Sequence, residues 1–504
     1  MEDTGRIRKG LQASARRIVF AGALTSGFKN EMEFITEVDR AHIVMLLDQH
    51  LIADDTGRRL LQEISRLRGL EYAPLRERDA GRGIYLCYES FLIETLGEEI
   101  GGMLHLARSR NDLNATVFRL KLREPFLKLV RKALRLQVVL LKRAGRFKDA
   151  VMPAYTHYQA AVPITYGHYL AGIAQALNRD IRGLMNGSDG LQRCPLGAGA
   201  AGGTSAPIDS DRTAELLGFQ QAVIHSLDAV ASRDLALRLL AAAAILATTL
   251  SRIAEDFLLW SSSEFGFLSF PDNLVGSSSM MPQKRNPFLL EHIQSRGTAA
   301  LGAFVSAITA TQGAPFTNSI RVSGESVSTI WTALEKVCEA AHLAALVVSG
   351  ATPNLHTMRV RAQIGFTSAT ELATRLALGG AGCFRSVHHR VGEVITRAVE
   401  EHNGDLESIA CREFANNLPA GLLPDLDPAA VARSCAYGGG AAPSSLQCCL
   451  EETHRELSVL RESYRAMERK WASSARELDR AVRAWCAAGI TESPSETMTE
   501  AVTH

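Results

Sequence analysis

The chain has 504 residues, with 55 lysines and arginines against 54 aspartates and glutamates, which gives a formal net charge of +1. This length corresponds to roughly three domains of about 150 residues each, and it excludes a small disulfide-stabilised scaffold. A charge so close to zero provides no overall field that would attract nucleic acid or an anionic membrane, so neither is expected as a partner.

Helices are expected to dominate the fold, because the 16 prolines cluster and leave long stretches without proline. These stretches cover residues 164–194, 208–270, 288–314 and 316–352. Apolar residues within them recur at three- and four-residue steps, the spacing of an amphipathic helix, and their alanine content predicts close packing into a bundle. Loops are predicted where glycine and proline accumulate, at 194–207, 262–287 and 417–445. No alternating pattern predicts a β-strand of useful length.

The most apolar run, residues 239–251, spans about a dozen residues, fewer than the roughly 20 needed to cross a bilayer. It is therefore predicted to be a buried helix and not a membrane anchor. The nine cysteines show no C-x-x-C spacing, and the first ten residues lack the apolar core of a secretory signal. A cytoplasmic, reducing compartment is expected. The tail from residue 491 has almost no apolar content and is predicted to be disordered.

Four segments place small polar, cationic or imidazole side chains in otherwise apolar surroundings. In the first, Ser109, Arg110 and Asn111 offer a hydroxyl, a guanidinium and a carboxamide, a set that suits a carboxylate ligand. An ordinary helix N-cap with flanking arginines has the same appearance. In the second, residues 155–159, His157 is a candidate proton carrier, because histidine side chains titrate near neutrality. A lone histidine is, however, more often a structural residue.

The third segment, residues 277–287, is the most specific. Its serines precede Lys284 and Asn286, and a predicted helix with Glu291 follows, so a nucleophile or base stands beside a cation and an amide that can hold an oxyanion. The alternative is a plain polar loop, for which the two methionines in this segment are unusual. In the fourth segment, Arg233 either neutralises an anion or pairs with the adjacent aspartate on the surface.

In this order and spacing, the segments resemble the fumarase/aspartase superfamily, and within it the argininosuccinate lyase branch, from about residue 80 to about residue 395. Residues 102–112 (GMLHLARSRND), 155–159 (YTHYQ) and 278–287 (SSMMPQKRNP) are similar to the three blocks of that family. Further segments outside these blocks are also similar to the family, among them 195–200 (PLGAGA) and 383–388 (CFRSVH). A chance match to all of them in the right order is negligible.

The resemblance implies an elimination that needs no cofactor. A base removes a proton next to a carboxylate, and an amine leaves from the neighbouring carbon with fumarate as co-product. The family pattern makes Ser278 the base, pairs His157 with Glu291 for proton handling on the leaving-group side, and adds Lys284 to the catalytic set. The other positions that it assigns to substrate binding are Ser109, Arg110, Asn111, Thr156, Arg233, Gln283 and Asn286.

The same resemblance implies a mainly α, three-domain fold with a central bundle of long helices. The expected divisions are an N-terminal domain at 1–113, the bundle at 114–365, a C-terminal domain at 366–490 and the tail at 491–504. Four copies are expected to associate through their bundles, so that each active site takes blocks from three subunits. Eye-lens crystallins in this family are structural proteins, so the fold alone does not prove activity.

This chain departs from the family pattern on the leaving-group side. The acidic residue and the histidine upstream of the first block fall on Gly83 and Tyr85, and the aspartate after the third block falls on Phe288. The usual tyrosine, glutamine and lysine fall on Asn318, Ser323 and Ser326. Phe288, Asn318 and Ser323 are therefore predicted to line a changed pocket for the leaving group.

A pocket without these charged groups no longer suits a zwitterionic amino-acid tail, because an unpaired charge is costly to desolvate. The sequence therefore predicts a lyase that releases fumarate from a small succinate-type substrate with a different amine half. One alternative is a genuine argininosuccinate lyase with an unusual tail pocket. The other is a non-catalytic structural relative, which the presence of Ser278, His157, Lys284 and Glu291 disfavours.

Overall fold

A computed structural model describes residues 12–20, 27–76, 78, 83–400, 406–414 and 425–487. In this part of the chain, helices account for most residues, and the strands form only two-stranded sheets. The prediction of a mainly α fold is confirmed. The tail that was predicted to be disordered lies outside the described residues.

The N-terminal helices are α1 (Ala13–Phe20), α2 (Phe28–Asp48), α3 (Asp54–Gly69), α4 (Ala73–Arg76), α5 (Ile84–Leu96) and α6 (Glu98–Gly101). The next are α7 (Arg110–Arg146), α8 (Tyr166–Gly187), α9 (Ser210–Leu216), α10 (Ser226–Ala231), α11 (Asp234–Ser261), α12 (Phe288–Thr311), α13 (Ile320–Ser323), α14 (Ile330–Gly350) and α15 (Leu355–Ile364). The last are α16 (Ala369–Leu378), α17 (Phe384–Glu400), α18 (Leu406–Phe414), α19 (Pro428–Ser434) and α20 (Pro443–Ala487).

Three antiparallel pairs of strands join these helices. They are β1 (Val151–Thr156) with β2 (Gln159–Thr165), β3 (Leu268–Ser269) with β6 (Thr352–Pro353), and β4 (Gly276–Ser277) with β5 (Arg285–Asn286). The β1–β2 hairpin was not predicted. Its alternation is obscured because Pro153 pairs with Pro163 and the register shifts just after them, and the hairpin is held by packing against α15.

The core of the bundle consists of α7, α8, α11, α12 and α14, which pack against one another. Small residues bring these helices together: a Cβ added at Gly297 would lie 3.3 Å from the Cβ of Ala247 on α11. Among the described helices, only α11 is long and apolar enough to cross a membrane by length and composition. Its Leu239, Leu246 and Leu250 are at most 1% exposed inside the bundle, as expected for a buried helix.

Two further apolar cores flank the bundle. One is built mainly from α2 to α7, and the other from α16, α17 and α18. The 45-residue helix α20 returns along the molecule, with Leu457 and Trp471 in the core of the bundle and Leu478 in the N-terminal core. The domain divisions at 113, 365 and 490 stay a prediction.

The loop predicted at 417–445 is wrong in part, because it contains α19 and the first residues of α20. Asp427 caps α19 by accepting a hydrogen bond from the N–H of Ala429 (3.3 Å). Pro428 follows in the first turn, where the missing N–H of proline removes no helical hydrogen bond. The proline that suggested a loop therefore marks a helix start.

Candidate active site

The first segment forms the N-terminus of the 37-residue helix α7. Ser109 is the N-cap: its Oγ accepts the N–H of Asn111 (3.3 Å), and its own N–H donates to Oδ1 of Asp112 (3.0 Å). Asp112 is fully buried, and its Oδ2 accepts the N–H groups of Gly197 (3.2 Å) and Gly199 (2.9 Å). The N-cap interpretation of Ser109 is thus correct, and the cap also ties this helix end to the glycine-rich loop.

A buried polar network lies directly beneath this helix end. Arg108 and Asp39 form an ion pair with 2.6 Å between Nη2 and Oδ1, and both side chains are 0% exposed. The Arg108 guanidinium also donates to the hydroxyl of Tyr85 (2.9 Å), which lies 3.0 Å from Nδ1 of His105. Burial, and then the nearby positive charge of Arg108, lowers the pKa of His105 to about 4. The network holds the backbone immediately before Ser109.

The network accounts for the tyrosine at position 85, where the family pattern has a histidine. Tyr85 is only 6% exposed, and its hydroxyl turns inward to Arg108. Gly83 has no side chain and is the N-cap residue before α5, with a φ of 101°. Sequence reasoning missed Asp39, because an aspartate inside an apolar helix carries no motif signal of its own. Arg108 lies inside the first block, so its position was visible but its partner was not.

The second segment forms the turn of the β1–β2 hairpin. Thr156 pairs with Gln159, which leaves His157 and Tyr158 as a two-residue turn, and the side chains of all four are exposed. The stem below is anchored, because the Tyr155 ring packs against two phenylalanines that follow α11, with the ring centroids 5.6 and 6.2 Å apart. The hairpin therefore presents the imidazole of His157 at an exposed tip.

The third segment connects β4 to β5. The Oγ atom of Ser278 accepts two backbone hydrogen bonds, from the N–H of Met281 (3.0 Å) and the N–H of Met280 (3.3 Å). The side-chain amide of Asn286 donates to the carbonyl of Ser277 (3.4 Å) across the strand pair. The side chain of Lys284 is exposed. Two N–H donors aimed at one hydroxyl oxygen favour negative charge on that oxygen.

Helix α12 begins directly after this loop. Phe288 occupies its first position, is 39% exposed, and lies edge-on to the ring of His292 with 5.6 Å between the centroids. Glu291, in the first turn, and Gln283, in the loop, are both exposed. Within the part of the chain that the structure describes, Glu291 and His157 form neither an ion pair nor a hydrogen bond with each other. Their pairing stays a prediction.

Arg233 occupies the N-cap position of α11 and is 4% exposed. It donates to the carbonyls of Val230 (3.0 Å) and Ser232 (2.9 Å), while the adjacent Asp234 pairs with Arg238 (2.9 Å). The surface pair considered for Arg233 is therefore wrong. Burial, and then a neighbouring arginine, lowers the pKa of the Arg233 guanidinium to about 10. Among the described residues this buried guanidinium has no carboxylate partner, which suits it to an anionic ligand.

The segment between α12 and α14 carries the remaining predicted residues. Among the described residues, the Oδ1 atom of Asn318 and the Oγ atom of Ser326 are buried without a hydrogen-bond partner. Ser323 ends the short helix α13. Buried polar atoms that lack partners are uncommon and often mark a place where a ligand or another chain binds. The side chains of Asn318 and Ser326 are neutral, whereas the family pattern has a lysine at the position of Ser326.

One chain does not bring all of these residues together. Ser109 begins α7, whereas His157 follows the end of that helix, which is about 55 Å long at 1.5 Å per residue. Gln294, near the start of α12, donates to Glu255 near the end of α11 (2.8 Å), which places the Ser278 loop at the His157 end of the bundle. Trp331, at the start of α14, packs against a phenylalanine in the N-terminal part of α7.

The predicted residues therefore form two groups at opposite ends of the bundle. The group at the α7 N-terminus comprises Ser109, Arg110, Asn111, Arg233, Asn318 and Ser323. The group at the hairpin end comprises Thr156, His157, Ser278, Gln283, Lys284, Asn286, Phe288 and Glu291. A site that uses both groups requires more than one copy of the chain.

Comparisons with known proteins identify the family. The family model for lyases matches residues 77–302. The argininosuccinate lyase of Natronomonas pharaonis is 34% identical over 487 residues, which are 93% of this chain and 96% of that protein. The chain belongs to the argininosuccinate lyase branch of the fumarase/aspartase superfamily. Argininosuccinate lyase 1 of Shouchella clausii is 29% identical over 94% of this chain and 99% of its own length.

A solved structure agrees with this assignment. A variant of EDDS lyase with bound fumarate superposes with a TM-score of 0.82 at 28% identity, over 95% of this chain and 96% of that chain. That variant carries methionine in place of one aspartate and one tyrosine. The predicted fumarase/aspartase-like fold is confirmed, and this member of the argininosuccinate lyase branch is a carbon–nitrogen lyase.

Proposed function

We propose that this protein cleaves the carbon–nitrogen bond of an N-substituted succinate, releasing fumarate and an amine that differs from arginine. The proposal depends on a contrast between the loop that carries the proposed base and the residues on the leaving-group side. The Ser278 loop has its two backbone N–H donors in place, while Phe288 and Asn318 stand where the family has an aspartate and a tyrosine. We expect the enzyme to act in the cytoplasm.

The chemical step is an anti β-elimination. Ser278 removes the proton from the carbon next to a carboxylate, and the electrons of that C–H bond move onto this carboxylate to give an enediolate-like dianion. The dianion then collapses to the double bond of fumarate as the C–N bond breaks, and the leaving nitrogen takes a proton from His157, which Glu291 supports. Lys284 and Asn286 meet the negative charge that develops on the carboxylate during this step.

We further propose a homotetramer in which three subunits contribute to each site. The groups at the two ends of the bundle then meet across chains. Ser109, Asn111, Thr156, Lys284 and Asn286 hold the succinyl carboxylates, and Arg110 and Arg233 line the substrate site. An exposed apolar stripe on α12 supports this association: Leu301, Val305 and Ile308 are 43–58% exposed in a single chain. An apolar helix face of this kind is stabilised when a second copy covers it.

The amine side of the site has lost its charged groups. Phe288 presents an apolar ring, Asn318 offers a neutral carbonyl oxygen, and Tyr85 is turned away into the network around Arg108. The EDDS lyase variant lends support, because its two methionine substitutions lie 30 positions apart, as Phe288 and Asn318 do, and that variant still binds fumarate. Neutral residues at such positions are thus compatible with a fumarate-binding site.

A panel of N-substituted aspartates tests the proposed function. The purified protein is incubated with argininosuccinate and with N-butyl-, N-benzyl- and N-carboxybutyl-aspartate, and fumarate is followed by its ultraviolet absorbance. We expect kcat/KM for the N-butyl or N-benzyl compound to exceed that for argininosuccinate by about tenfold or more. Efficient cleavage of argininosuccinate, with rescue of an arginine auxotroph, would establish a genuine argininosuccinate lyase. Fumarate from no compound would favour a non-catalytic relative.

Restoring the family residues at two positions should redirect specificity. The double variant Phe288→Asp with Asn318→Tyr is expected to raise kcat/KM for argininosuccinate by about 10- to 100-fold, because a carboxylate then pairs with the cationic tail. Activity on N-butylaspartate should fall, since the new charge is desolvated without a partner. Phe316→Asp, which adds the same charge at a 65% exposed position, is the control and should change neither value. If the ratio of kcat/KM for argininosuccinate to kcat/KM for N-butylaspartate is unchanged in the double variant, the assignment of Phe288 and Asn318 to the leaving-group pocket is wrong.

A further inference from the structure

The turn that carries His157 has an unusual backbone. His157 and Tyr158 are its two central residues, and both have positive φ, 51° and 60°. A two-residue hairpin turn with positive φ at both positions normally contains asparagine and glycine, because a Cβ atom crowds the backbone there. Two bulky side chains in this conformation cost free energy, and such strain persists only where the surrounding structure imposes it.

The stem of the hairpin imposes this conformation from below. Helix α15 packs along β1, and the Tyr155 ring packs against Phe265 and Phe267. On the other strand, a Cβ built on Gly365 would lie 2.9 Å from the Cβ of Ala160, so the segment after α15 touches β2 closely. The turn therefore projects from a packed stem, although the Tyr158 side chain is 80% exposed in a single chain.

The folding of one chain does not explain a strained, exposed tyrosine at this place, because asparagine or glycine would form the turn at lower cost. We propose that Tyr158 is a positioning residue: its ring docks against a second copy of this chain and thereby holds the His157 imidazole in the active site. This inference rests on the proposed role of His157.

The second copy is the occupant that the geometry favours. The hairpin tip lies at one end of the bundle, while Ser109 and Arg110 lie at the other end, about 55 Å away along α7, so the tip can meet them only on another chain. Arg110 is exposed at that end. A guanidinium over the face of a tyrosine ring is a favourable contact, which suits this end of the second copy to receive Tyr158.

Photo-crosslinking tests the contact. A benzophenone amino acid placed at position 158 is irradiated in the full-length protein, and the crosslinked peptides are identified by mass spectrometry. We expect a chain-to-chain product whose second peptide contains residues 106–112. The same probe at Tyr437, which is 93% exposed in the loop before α20, is the control and should give no such product. Crosslinks confined to one chain would overturn the proposal.

Kinetics of two Tyr158 variants test the positioning role, with the most active compound of the substrate panel as the probe. Tyr158→Asn relaxes the turn and removes the ring, so we expect kcat to fall about 10- to 100-fold while fumarate still binds with unchanged stoichiometry and affinity. Tyr158→Phe should retain kcat, because the ring is kept. A Tyr158→Asn enzyme with the kcat of the unmodified protein overturns the inference, as does a Tyr158→Phe enzyme that loses as much kcat as Tyr158→Asn.

His157→Asn separates this inference from the proposed function. If His157→Asn and Tyr158→Asn both lose activity, the positioning role is supported. If only His157→Asn loses activity, the inference on Tyr158 fails while the proposed role of His157 stands. If His157→Asn turns over normally, the proposed role of the hairpin fails, and the inference fails with it. Tyr437→Asn is the matched control and should leave kcat unchanged.

Discussion

Replacing Ser278 by alanine is expected to lower kcat for fumarate release by at least about 10³-fold, because the variant lacks the base that takes the proton from carbon. The Oγ atom of Ser278 accepts the N–H groups of Met280 and Met281, which favour the charged, proton-accepting form of the hydroxyl. Removing a single oxygen leaves the loop and the residues proposed to hold the succinyl half in place. The affinity for fumarate, measured by isothermal titration calorimetry, should therefore remain close to that of the unmodified enzyme.

Ser279 provides the matched control for this experiment. It is the next residue in the loop, it is exposed, and the family pattern assigns it no role in proton removal. Ser279→Ala should keep kcat within about threefold of the unmodified enzyme. If Ser278→Ala retained most of its activity, or if both variants lost it equally, the assignment of the base would be wrong.

Replacing Arg108 by methionine is expected to lower the free energy of unfolding by about 3–5 kcal/mol, because the variant leaves the Asp39 carboxylate buried without its counter-charge. Both side chains of the pair are 0% exposed, and the guanidinium also donates to Tyr85. The measurement is denaturant-induced unfolding at constant protein concentration. Ser109 follows Arg108 directly, so we also expect the KM for the succinyl substrate to rise.

The destabilisation of this variant should depend on pH. Burial raises the pKa of Asp39, while Arg108 opposes that rise, so without Arg108 the carboxyl favours its neutral form in the folded state more strongly. A carboxyl whose pKa is raised by folding contributes stability at low pH, and this contribution is lost as the pH rises through the folded-state pKa. Arg108→Met should therefore be more strongly destabilised at pH 8 than at pH 5.

Two comparisons make the Arg108 prediction specific. Arg238→Met removes an exposed pair with Asp234, whose side chains are 68% and 61% exposed, and should cost less than about 1 kcal/mol. Adding Asp39→Asn to Arg108→Met should recover part of the lost stability, because no unpaired charge then remains buried. A cost below about 1 kcal/mol for Arg108→Met would show that the buried pair does not stabilise the fold.

The helical bundle and the chemistry-bearing segments were predictable because their signals are local. The three- and four-residue apolar spacing of α11 lies within one helix, and the blocks around Ser109, His157 and Ser278 are short runs of adjacent residues. Such signals need no knowledge of which distant segments meet. The same locality explains two errors: proline concealed the β1–β2 hairpin, whose strands are stabilised by α15, and it concealed the start of α19.

The sequence by itself determined the family, the mainly α fold, the residue types of the candidate site and the departures at Phe288 and Asn318. Only the tertiary structure decided that Asp39 neutralises Arg108 across 69 positions of sequence, that Tyr85 points inward, and that Arg233 is buried. It also decided that the site residues divide between two ends of a bundle about 55 Å long. The physical reason is range: periodicity and motifs are properties of neighbouring residues, whereas burial, ion pairing and distance depend on how far-separated elements pack.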